Sequence, residues 1–190
     1  MPRQNRTRYT VLGTLTHGPK SGYDIKKFIE RSINNFWRES YGQIYPTLKQ
    51  LAQEGLVTRK SVTQPGKPAR YVYSITKAGR RELRTWLEEP ADREVPRHEF
   101  LLKLFFGAEL SPEANLRHVE RYREEVEADL EMCRTVHARL RKTAPDSPNL
   151  PFWLMGLRQG ILVNEALEQW CDEARRTVNR MRSKKEPRDT

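Results

Sequence analysis

Three polar side chains between residues 43 and 49 are of the types that contact nucleic acids. Gln43, Tyr45 and Lys49 lie close together in one segment predicted to be helical. A glutamine near a helix start can reach a base edge or a phosphate, a tyrosine hydroxyl can bond a phosphate, and a lysine neutralises backbone charge. The segment therefore predicts a helix that contacts double-stranded DNA. A solvated Gln43 and Lys49 and a packed Tyr45 remain the ordinary structural alternatives.

Further candidate contacts flank this segment on both sides. Lys67 and Arg70 bracket a turn-rich tip, where two cations suit a phosphate or a narrow minor groove, although a solvated turn is the alternative. Lys20 and Tyr23 surround the start of the preceding helix, whose positive end attracts phosphate. The remaining candidates for backbone contacts are Ser40, Tyr41 and an N-terminal arm with Arg3, Arg6 and Arg8. A weakly attracted chain terminus is the alternative for the arm.

The charge of the chain is concentrated in its first part. The 190 residues include 35 Lys and Arg against 25 Asp and Glu. Residues 1–85 carry 17 basic and 5 acidic side chains, a net charge of +12, whereas residues 86–190 carry 18 and 20, a net charge of −2. A concentrated basic excess predicts a polyanionic partner, and a basic protein without such a partner is the alternative.

The sequence also argues against several classes of protein. It contains no apolar run of the roughly 18 residues that a membrane span needs and no secretory signal, and its two cysteines point to a reducing cytoplasm. Cys133 and His137 stand four residues apart, and Cys171 follows later, but no strong metal-ligand spacing is present. Because no catalytic motif is present either, we expect a cytoplasmic protein that is not an enzyme and has no cofactor, no metal and no membrane partner.

Hydrophobic periodicity predicts which elements position these residues. Helices are expected at 7–17, 22–32, 43–54 and 77–88, with strands at 56–63 and 70–75. Ser21 and Thr76 are predicted N-caps, and Gly55 a helix C-terminus. The order predicts a winged helix-turn-helix, in which the third helix enters the major groove and the hairpin is the wing. The fold class is thus mainly α with a small β-hairpin wing, followed by an all-helical dimerisation domain.

The remaining residues are predicted to form a separate helical region. We expect a DNA-binding domain at 1–88, a linker at 89–97, a dimerisation and effector domain at 98–182 and a disordered tail at 183–190. The helix at 98–107 is apolar all round and predicted to be buried. Long helices at 112–142 and 152–181 carry apolar seams that a homodimer would cover, which would place two recognition helices about 34 Å apart on a palindrome. The predicted dimerisation residues are Val119, Val126, Leu130, Leu157, Ile161 and Trp170.

Four segments resemble the PadR family of transcriptional regulators. They are SGYDIKKFIE (21–30), YGQIYPTLKQLAQEGLV (41–57), GKPARYVYSITKAGRREL (66–83) and FLLKLFFG (100–107). The last one is similar to the branch with a long helical C-terminal region. The resemblance implies a repressor that binds a palindromic promoter operator as a homodimer and releases it when a small, aromatic effector binds.

The resemblance also implies an effector pocket near the junction of the two domains. Aromatic side chains that could line it are Phe36, Trp37, Phe105, Phe106 and Trp153, and Arg158 could pair with a ligand carboxylate. Aromatic residues at helical spacing are more often plain core, so this site is an expectation. A winged-helix module that binds protein or RNA without a specific operator is the alternative function.

Overall fold

A computed structural model describes residues 6–33, 36, 37, 39, 41–64, 67–92 and 97–185. The chain divides into two compact units, Met1–Glu94 and Val95–Thr190. Their boundary falls inside the segment that the sequence predicts as a linker. Among the described residues, no helix combines the length and the apolar character needed to cross a membrane.

The first unit has the order of elements predicted from the sequence. Its elements are α1 (Arg6–Leu15), α2 (Gly22–Ser32), α3 (Tyr41–Gln53), β1 (Val57–Gln64), β2 (Lys67–Ile75) and α4 (Lys77–Glu88). The two strands pair antiparallel, from Val57 opposite Ile75 to Gln64 opposite Lys67. The fold is mainly helical with a two-stranded wing, which confirms the predicted class. The strands reach further toward the tip than predicted, so only residues 65 and 66 separate them.

Local hydrogen bonds explain where the helices begin and end. Ser21 and Asp24 form a capping box at α2, in which each side chain accepts a hydrogen bond from the backbone N–H of the other residue. Thr76 caps α4 by accepting a hydrogen bond from the N–H of Gly79 at 3.0 Å. Gly55 takes a φ of +71° just after α3, a conformation that favours glycine. All three signals were predicted from the sequence.

Helix α1 lies at the centre of the first unit. Its Val11, Leu12 and Leu15 are at most 1% exposed and pack with the apolar faces of α2 and α3. On its other side, the Tyr9 ring stacks on Trp86 of α4 with centroids 4.5 Å apart. Burying an aliphatic side chain of this size contributes about 1.5–3 kcal/mol, so α1 is a major source of stability for the module.

The second unit is a helical hairpin with a short leading segment. It comprises α5 (Glu99–Phe105), a 3-10 turn (Gly107–Glu109), α6 (Pro112–Thr143) and α7 (Leu150–Lys185). Ion pairs show that α6 and α7 run antiparallel, since Glu113 pairs with Arg182 while Arg134 pairs with Glu165. Gly160 allows a close approach, because a Cβ there would lie 3.1 Å from the Cys133 sulfur.

The structure corrects the predicted subunit seam. Five of the residues assigned to it are at most 9% exposed within a single chain, where they belong to the packing of α6 and α7: Val119, Val126, Leu130, Leu157 and Ile161. Trp170 is half-buried. Packing of α6 against α7 inside the chain therefore accounts for the periodicity at these five positions.

Two further expectations about the second unit are wrong. Helix α5 is not buried all round, since Phe105 is 81% exposed and only one side packs, with Phe100 stacked 4.5 Å from Tyr122. Helix α7 continues to Lys185, so residues 183–185 are helical instead of belonging to a disordered tail. No proline interrupts the helix there, and the Ser183 hydroxyl donates to the carbonyl of Asn179 at 3.2 Å. Residues 186–190 lie outside the described part.

Replacing Gly79 by alanine is expected to destabilise the first unit. A Cβ at this position would overlap the carbonyl oxygen of Leu56, which is backbone and cannot swing away. We expect Gly79→Ala to lower the free energy of unfolding by about 1–3 kcal/mol, measured by urea denaturation. Gly13→Ala in α1 is the matched control, because no atom lies within 4 Å of its Cβ and alanine favours the helix by up to about 1 kcal/mol. Equal effects of both changes would contradict this account.

The capping box of α2 is expected to make stability depend on pH. Hydrogen bonding from the Ser21 hydroxyl, with further help from Arg70 and Lys20, holds the pKa of Asp24 below its ordinary value of 3.8. A carboxyl group whose pKa falls on folding stabilises the protein above its unfolded pKa, and this contribution disappears as the pH falls through the folded pKa. The free energy of unfolding should therefore fall more steeply with acidification below about pH 4 in the wild type than in Asp24→Asn. Parallel pH curves would show that the capping carboxylate contributes nothing.

Candidate nucleic-acid interface

The outer face of α3 carries the residues singled out in the sequence. Gln43, Tyr45 and Lys49 are exposed, whereas Ile44 and Leu48 between them are buried in the core. A helix anchored on one face presents its other face to solvent, where side chains can enter a groove. All three polar residues are therefore accessible at and beyond the start of α3.

The first turns of α2 and α3 meet without room for an extra atom. A Cβ on Gly22 would lie 2.6 Å from Cε1 of Tyr45 and 2.9 Å from its Cζ. The Tyr45 ring thus rests on the α2 backbone, while the side chain remains 61% exposed. Tyr45 is consequently both packed and accessible, and the contact fixes the position of the α3 N-terminus relative to α2.

The wing is attached to the same end of α2. Lys20, just before α2, exchanges two backbone hydrogen bonds with Tyr73 of β2, at 3.0 and 2.9 Å. Arg70 of β2 lies 3.7 Å from the carboxylate of Asp24, an exposed ion pair that contributes orientation more than stability. These contacts bring the start of α2, the start of α3 and the base of the wing together on one side of the unit.

The start of α2 is not a free anion site, in contrast to the sequence-based expectation. Asp24 already places a carboxylate at the positive helix end. Lys20 and Tyr23 can therefore approach a phosphate only with their own side chains. Tyr23 is 59% exposed with the Lys27 ammonium 5.6 Å from its ring, and the Lys20 ammonium lies 5.4 Å from the Phe28 ring.

The expected N-terminal arm is replaced by helix α1 from residue 6 onward. Arg6 pairs with Asp92 at 2.9 Å, and its guanidinium lies 5.7 Å from the Trp37 ring. Arg8 pairs with Glu54 at 2.7 Å and with Glu82. Both cations are therefore engaged in ion pairs within the first unit. Arg3 and Ser40 lie outside the described residues, and the described parts of Tyr41 and Lys67 are their backbones at the starts of α3 and β2.

Two cations of the wing were missed by the sequence analysis. Arg59 and Lys60 are exposed on β1, and the Arg59 guanidinium lies 4.3 Å from the Tyr71 ring on the neighbouring strand. This cation–π contact holds the Arg59 guanidinium against the neighbouring strand at the wing surface. The run Thr58-Arg59-Lys60 in a predicted strand is the sequence signal for these two cations.

Glu39 was also missed, although it fixes the segment that leads into α3. Its carboxylate accepts hydrogen bonds from the hydroxyls of Thr7 and Thr10, both at 2.8 Å, and from the Trp37 indole at 2.6 Å. Two of these donors belong to α1. No local pattern could reveal this cluster, because its members are up to 32 residues apart in sequence. Glu39 therefore ties the approach to the recognition helix to the centre of the module.

The predicted effector residues do not line one cavity within either unit. Phe36, which is 70% exposed, and Trp37 belong to the first unit, whereas the other four belong to the second. Phe105 and Phe106 are exposed and contact each other edge to face, Trp153 is half-buried and Arg158 is exposed. A cavity of about 760 Å³ in the second unit is lined instead by other residues, including Leu104, Leu110, Trp170 and Met181.

The described residues offer no cluster suited to metal binding. Within them, no group of three or more His, Cys, Asp or Glu side chains has the geometry to hold a metal ion. Cys133 and Cys171 are buried thiols, and burial raises the pKa of Cys171. A buried thiol with a raised pKa is a poor nucleophile, which favours a packing role for Cys171.

Family comparison agrees with the division into two units. Residues 11–85 match the profile of the transcriptional regulator PadR-like family, and residues 96–179 match that of the virulence activator alpha C-terminal region. The negative transcriptional regulator PadR of Bacillus subtilis is 38% identical over 106 residues. That match covers 55% of this chain and 58% of the regulator, so the chain spans little more than half of that relative.

Solved structures resemble the chain over most of its length. The structure of Bacillus subtilis PadR in complex with operator DNA has a TM-score of 0.78 at 27% identity, covering 90% of this chain and 98% of that chain. The Vibrio cholerae virulence activator AphA has a TM-score of 0.70 at 30% identity, covering 92% of this chain and 99% of that one. The family profile, the shared helical extension and these likenesses together show that the chain belongs to the PadR-like family, whose members are transcriptional regulators and not enzymes.

Proposed function

We propose that this protein is a transcriptional repressor that binds a palindromic promoter operator as a homodimer and releases it when a small aromatic effector binds. The observation that carries the proposal is the convergence of the α3 start, the α2 start and the wing base on one exposed surface. The seating of Tyr45 on Gly22 and the bonds between Lys20 and Tyr73 produce this convergence.

The exposed residues of this surface suit different parts of a DNA duplex. Gln43, at the start of α3, would read a base edge in the major groove, where an amide can bond adenine in bidentate fashion. Tyr45 and Lys49 would hold the flanking phosphates, which set register without reading sequence. Arg59, Lys60 and Arg70 on the wing strands would follow the adjacent backbone, with Lys67 nearer the tip.

The sign and location of the net charge favour this partner. The excess of +12 over residues 1–85 lies in the unit that contains α3 and the wing. Since Arg6 and Arg8 form ion pairs inside the unit, the cations of α3 and the wing carry the attraction to phosphate. Release of counterions from DNA makes such binding strongly dependent on salt.

Repression and palindrome binding rest on the relatives and on symmetry. The Bacillus subtilis relative is named a negative regulator and has been solved with operator DNA, whereas AphA is named an activator. A homodimer with two-fold symmetry presents two copies of the reading surface and matches an inverted repeat. A dimer of this kind seated on a promoter represses by excluding the transcription machinery.

The effector is proposed by analogy with the same relative. Bacillus subtilis PadR has also been solved in complex with p-coumaric acid, an aromatic carboxylic acid. In this chain, the exposed guanidinium of Arg158 would pair with such a carboxylate. An effector that binds more tightly to a state unable to bind DNA shifts the protein toward that state. The largest possible loss of operator affinity is set by the difference between the effector's affinities for the two protein states.

Two substitutions test the reading surface in a gel-shift assay with operator fragments selected by the protein. Gln43→Ala should weaken operator binding by about 1–3 kcal/mol, because it removes a base contact. Gln53→Ala is the matched control, since it removes an exposed glutamine from the far end of the same helix.

Lys67→Ala should weaken binding to all DNA duplexes equally. The slope of log affinity against log salt concentration should fall by about the contribution of one phosphate contact. Lys77→Ala on α4 is the control and should change neither the affinity nor the slope.

The outcome of this assay separates the competing functions. If Gln43→Ala and Lys67→Ala both bind like the wild type, the assignment of the groove surface is wrong. Equal affinity for operator, unrelated duplex and RNA would indicate a general nucleic-acid binder. No binding to any nucleic acid would favour a protein-interaction module.

The effector proposal is tested by adding p-coumaric acid to the protein–operator complex. Operator affinity should fall as the acid is added, and isothermal titration calorimetry should detect binding to the free protein. Arg158→Ala should weaken binding of the acid, because the carboxylate loses its cation, and should leave binding of an uncharged phenol unchanged. An acid that neither binds nor changes operator affinity would contradict this part of the proposal.

A further inference from the structure

Helix α4 carries a row of cations on its solvent side, which we call the α4 ridge. The ridge consists of four exposed side chains: Lys77, Arg80, Arg81 and Arg84. At 100° per residue, they fall within about 100° of arc around the helix. Gly79 and Trp86 lie on the opposite side, where they pack against the core of the first unit. The four cations therefore form one continuous basic surface that takes no part in the packing of the module.

No acidic side chain balances this surface. Among the described residues, none forms an ion pair with a member of the ridge. Of the two acidic residues of α4, Glu82 pairs with Arg8 of α1 and Glu88 is the last residue of the helix. The ridge holds four of the 17 basic side chains of residues 1–85, against five on α3 and the wing strands. A large part of the basic excess therefore lies outside the proposed reading surface.

The ridge lowers the stability of its own helix. Its members are spaced three and four residues apart, a spacing at which like charges repel. Lys77 is the first residue of α4, where the positive helix end favours acidic groups, and the first turn contains none. Helix α6 has the stabilising arrangement instead, with ion pairs of Arg121 with Glu125 and of Arg123 with Glu127. Cations that a helix retains at a cost in stability indicate an anionic partner.

The ridge and the reading surface face different directions. Helix α1 packs against both α3 and α4. The buried Ile44 and Leu48 turn α3 toward the core, and Trp86 of α4 stacks on Tyr9 of α1. Each of the two helices therefore directs its polar side away from α1 on its own flank of the unit. A short duplex seated on α3 and the wing leaves the ridge free for another partner.

We propose that the α4 ridge binds the phosphate backbone of a second DNA duplex, so that one protein holds two segments of DNA. Three of its four cations are arginines, whose guanidinium groups pair with phosphate through two hydrogen bonds. The ridge extends over about 10 Å of helix, which matches about three successive phosphates at 3.4 Å per step of one strand. Backbone contacts do not read bases, so the second duplex is bound without regard to sequence. This inference relies on the proposed function only for how the first duplex is held.

A recruitment assay tests the second duplex. Operator DNA is fixed to beads, loaded with the protein and washed, and a fluorescent duplex of unrelated sequence is then added. The wild type should retain the fluorescent duplex, and less of it as the salt concentration rises. The triple variant Arg80→Gln, Arg81→Gln, Arg84→Gln should retain about tenfold less, because about three phosphate contacts are lost. Its affinity for a short operator fragment in a gel shift should equal that of the wild type.

A second triple variant separates a local contact from overall charge. It removes three exposed cations from the end of α6: Arg139→Gln, Arg141→Gln, Lys142→Gln. The loss of net charge equals that of the ridge variant, yet recruitment should stay at the level of the wild type. An equal loss of recruitment in both variants would reduce the effect to overall charge and overturn the proposal.

Urea denaturation distinguishes the second duplex from an acidic partner within the protein. Replacing the ridge arginines by glutamine relieves like-charge repulsion and keeps good helix formers, so the free energy of unfolding should stay equal or rise. A fall in stability would show that the ridge is held by acidic side chains of the protein itself, and would overturn the proposal.

The remaining outcomes separate the ridge from the proposed function. Protein that stays on the operator beads but recruits no duplex overturns the ridge and leaves the operator proposal. Preferential recruitment of an RNA hairpin, or a loss of affinity in the ridge variant only for operators with long flanks, overturns the second duplex. If the operator beads retain no protein, the proposed function fails. Direct titration with the unrelated duplex then decides, since binding lost in the ridge variant and kept in Gln43→Ala supports the ridge, and absence of binding overturns it.

Discussion

The seating of the Tyr45 ring on Gly22 is the contact on which the reading surface depends. Glycine permits it because a Cβ at position 22 would lie only 2.6 Å from Cε1 of the ring, too close for two carbon atoms. The contact sets how far the start of α3 stands from α2, and hence which residues of α3 face solvent. The same end of α2 holds the wing through Lys20 and Asp24, so a single helix end positions both parts of the DNA-binding surface. A shift of this end would move them together.

Helix α1 provides the foundation for this arrangement. Its apolar side forms part of the core, and its polar side holds partners from several parts of the unit. Arg8 pairs with Glu54 after α3 and with Glu82 of α4, while Thr7 and Thr10 bind Glu39 before α3. Both ends of the recognition helix are therefore tied to α1 by polar contacts. Part of the basic character of the sequence thus serves internal architecture, and the charge directed at a partner is smaller than the net charge suggests.

The sequence predicted most reliably those features that local chemistry decides. Ser21, Thr76 and Gly55 are caps whose role depends on a few neighbouring residues, and the boundaries of α2 and α4 follow from them. Periodicity also identified the buried sides of the long helices. Periodicity does not indicate which element covers a buried side. Val126 and Leu130 were therefore predicted to lie in a subunit interface, whereas they are already buried within the single chain. Arg6 was predicted to contact DNA because no local pattern shows its ion-pair partner. That partner, Asp92, lies 86 residues away in the sequence.

The carbonyl of Leu56 joins three elements at one atom. It accepts hydrogen bonds from the backbone and hydroxyl of Thr76, both at 3.0 Å, and lies against Gly79. The end of α3, the first wing strand and the start of α4 are therefore locked where no free volume exists to absorb a local shift. Such a module responds to force as a rigid body, so bending the recognition helix within it is costly. Under the proposed function, control of operator affinity would then act through the distance and angle between the two modules of a homodimer, which a palindromic operator reads as half-site spacing.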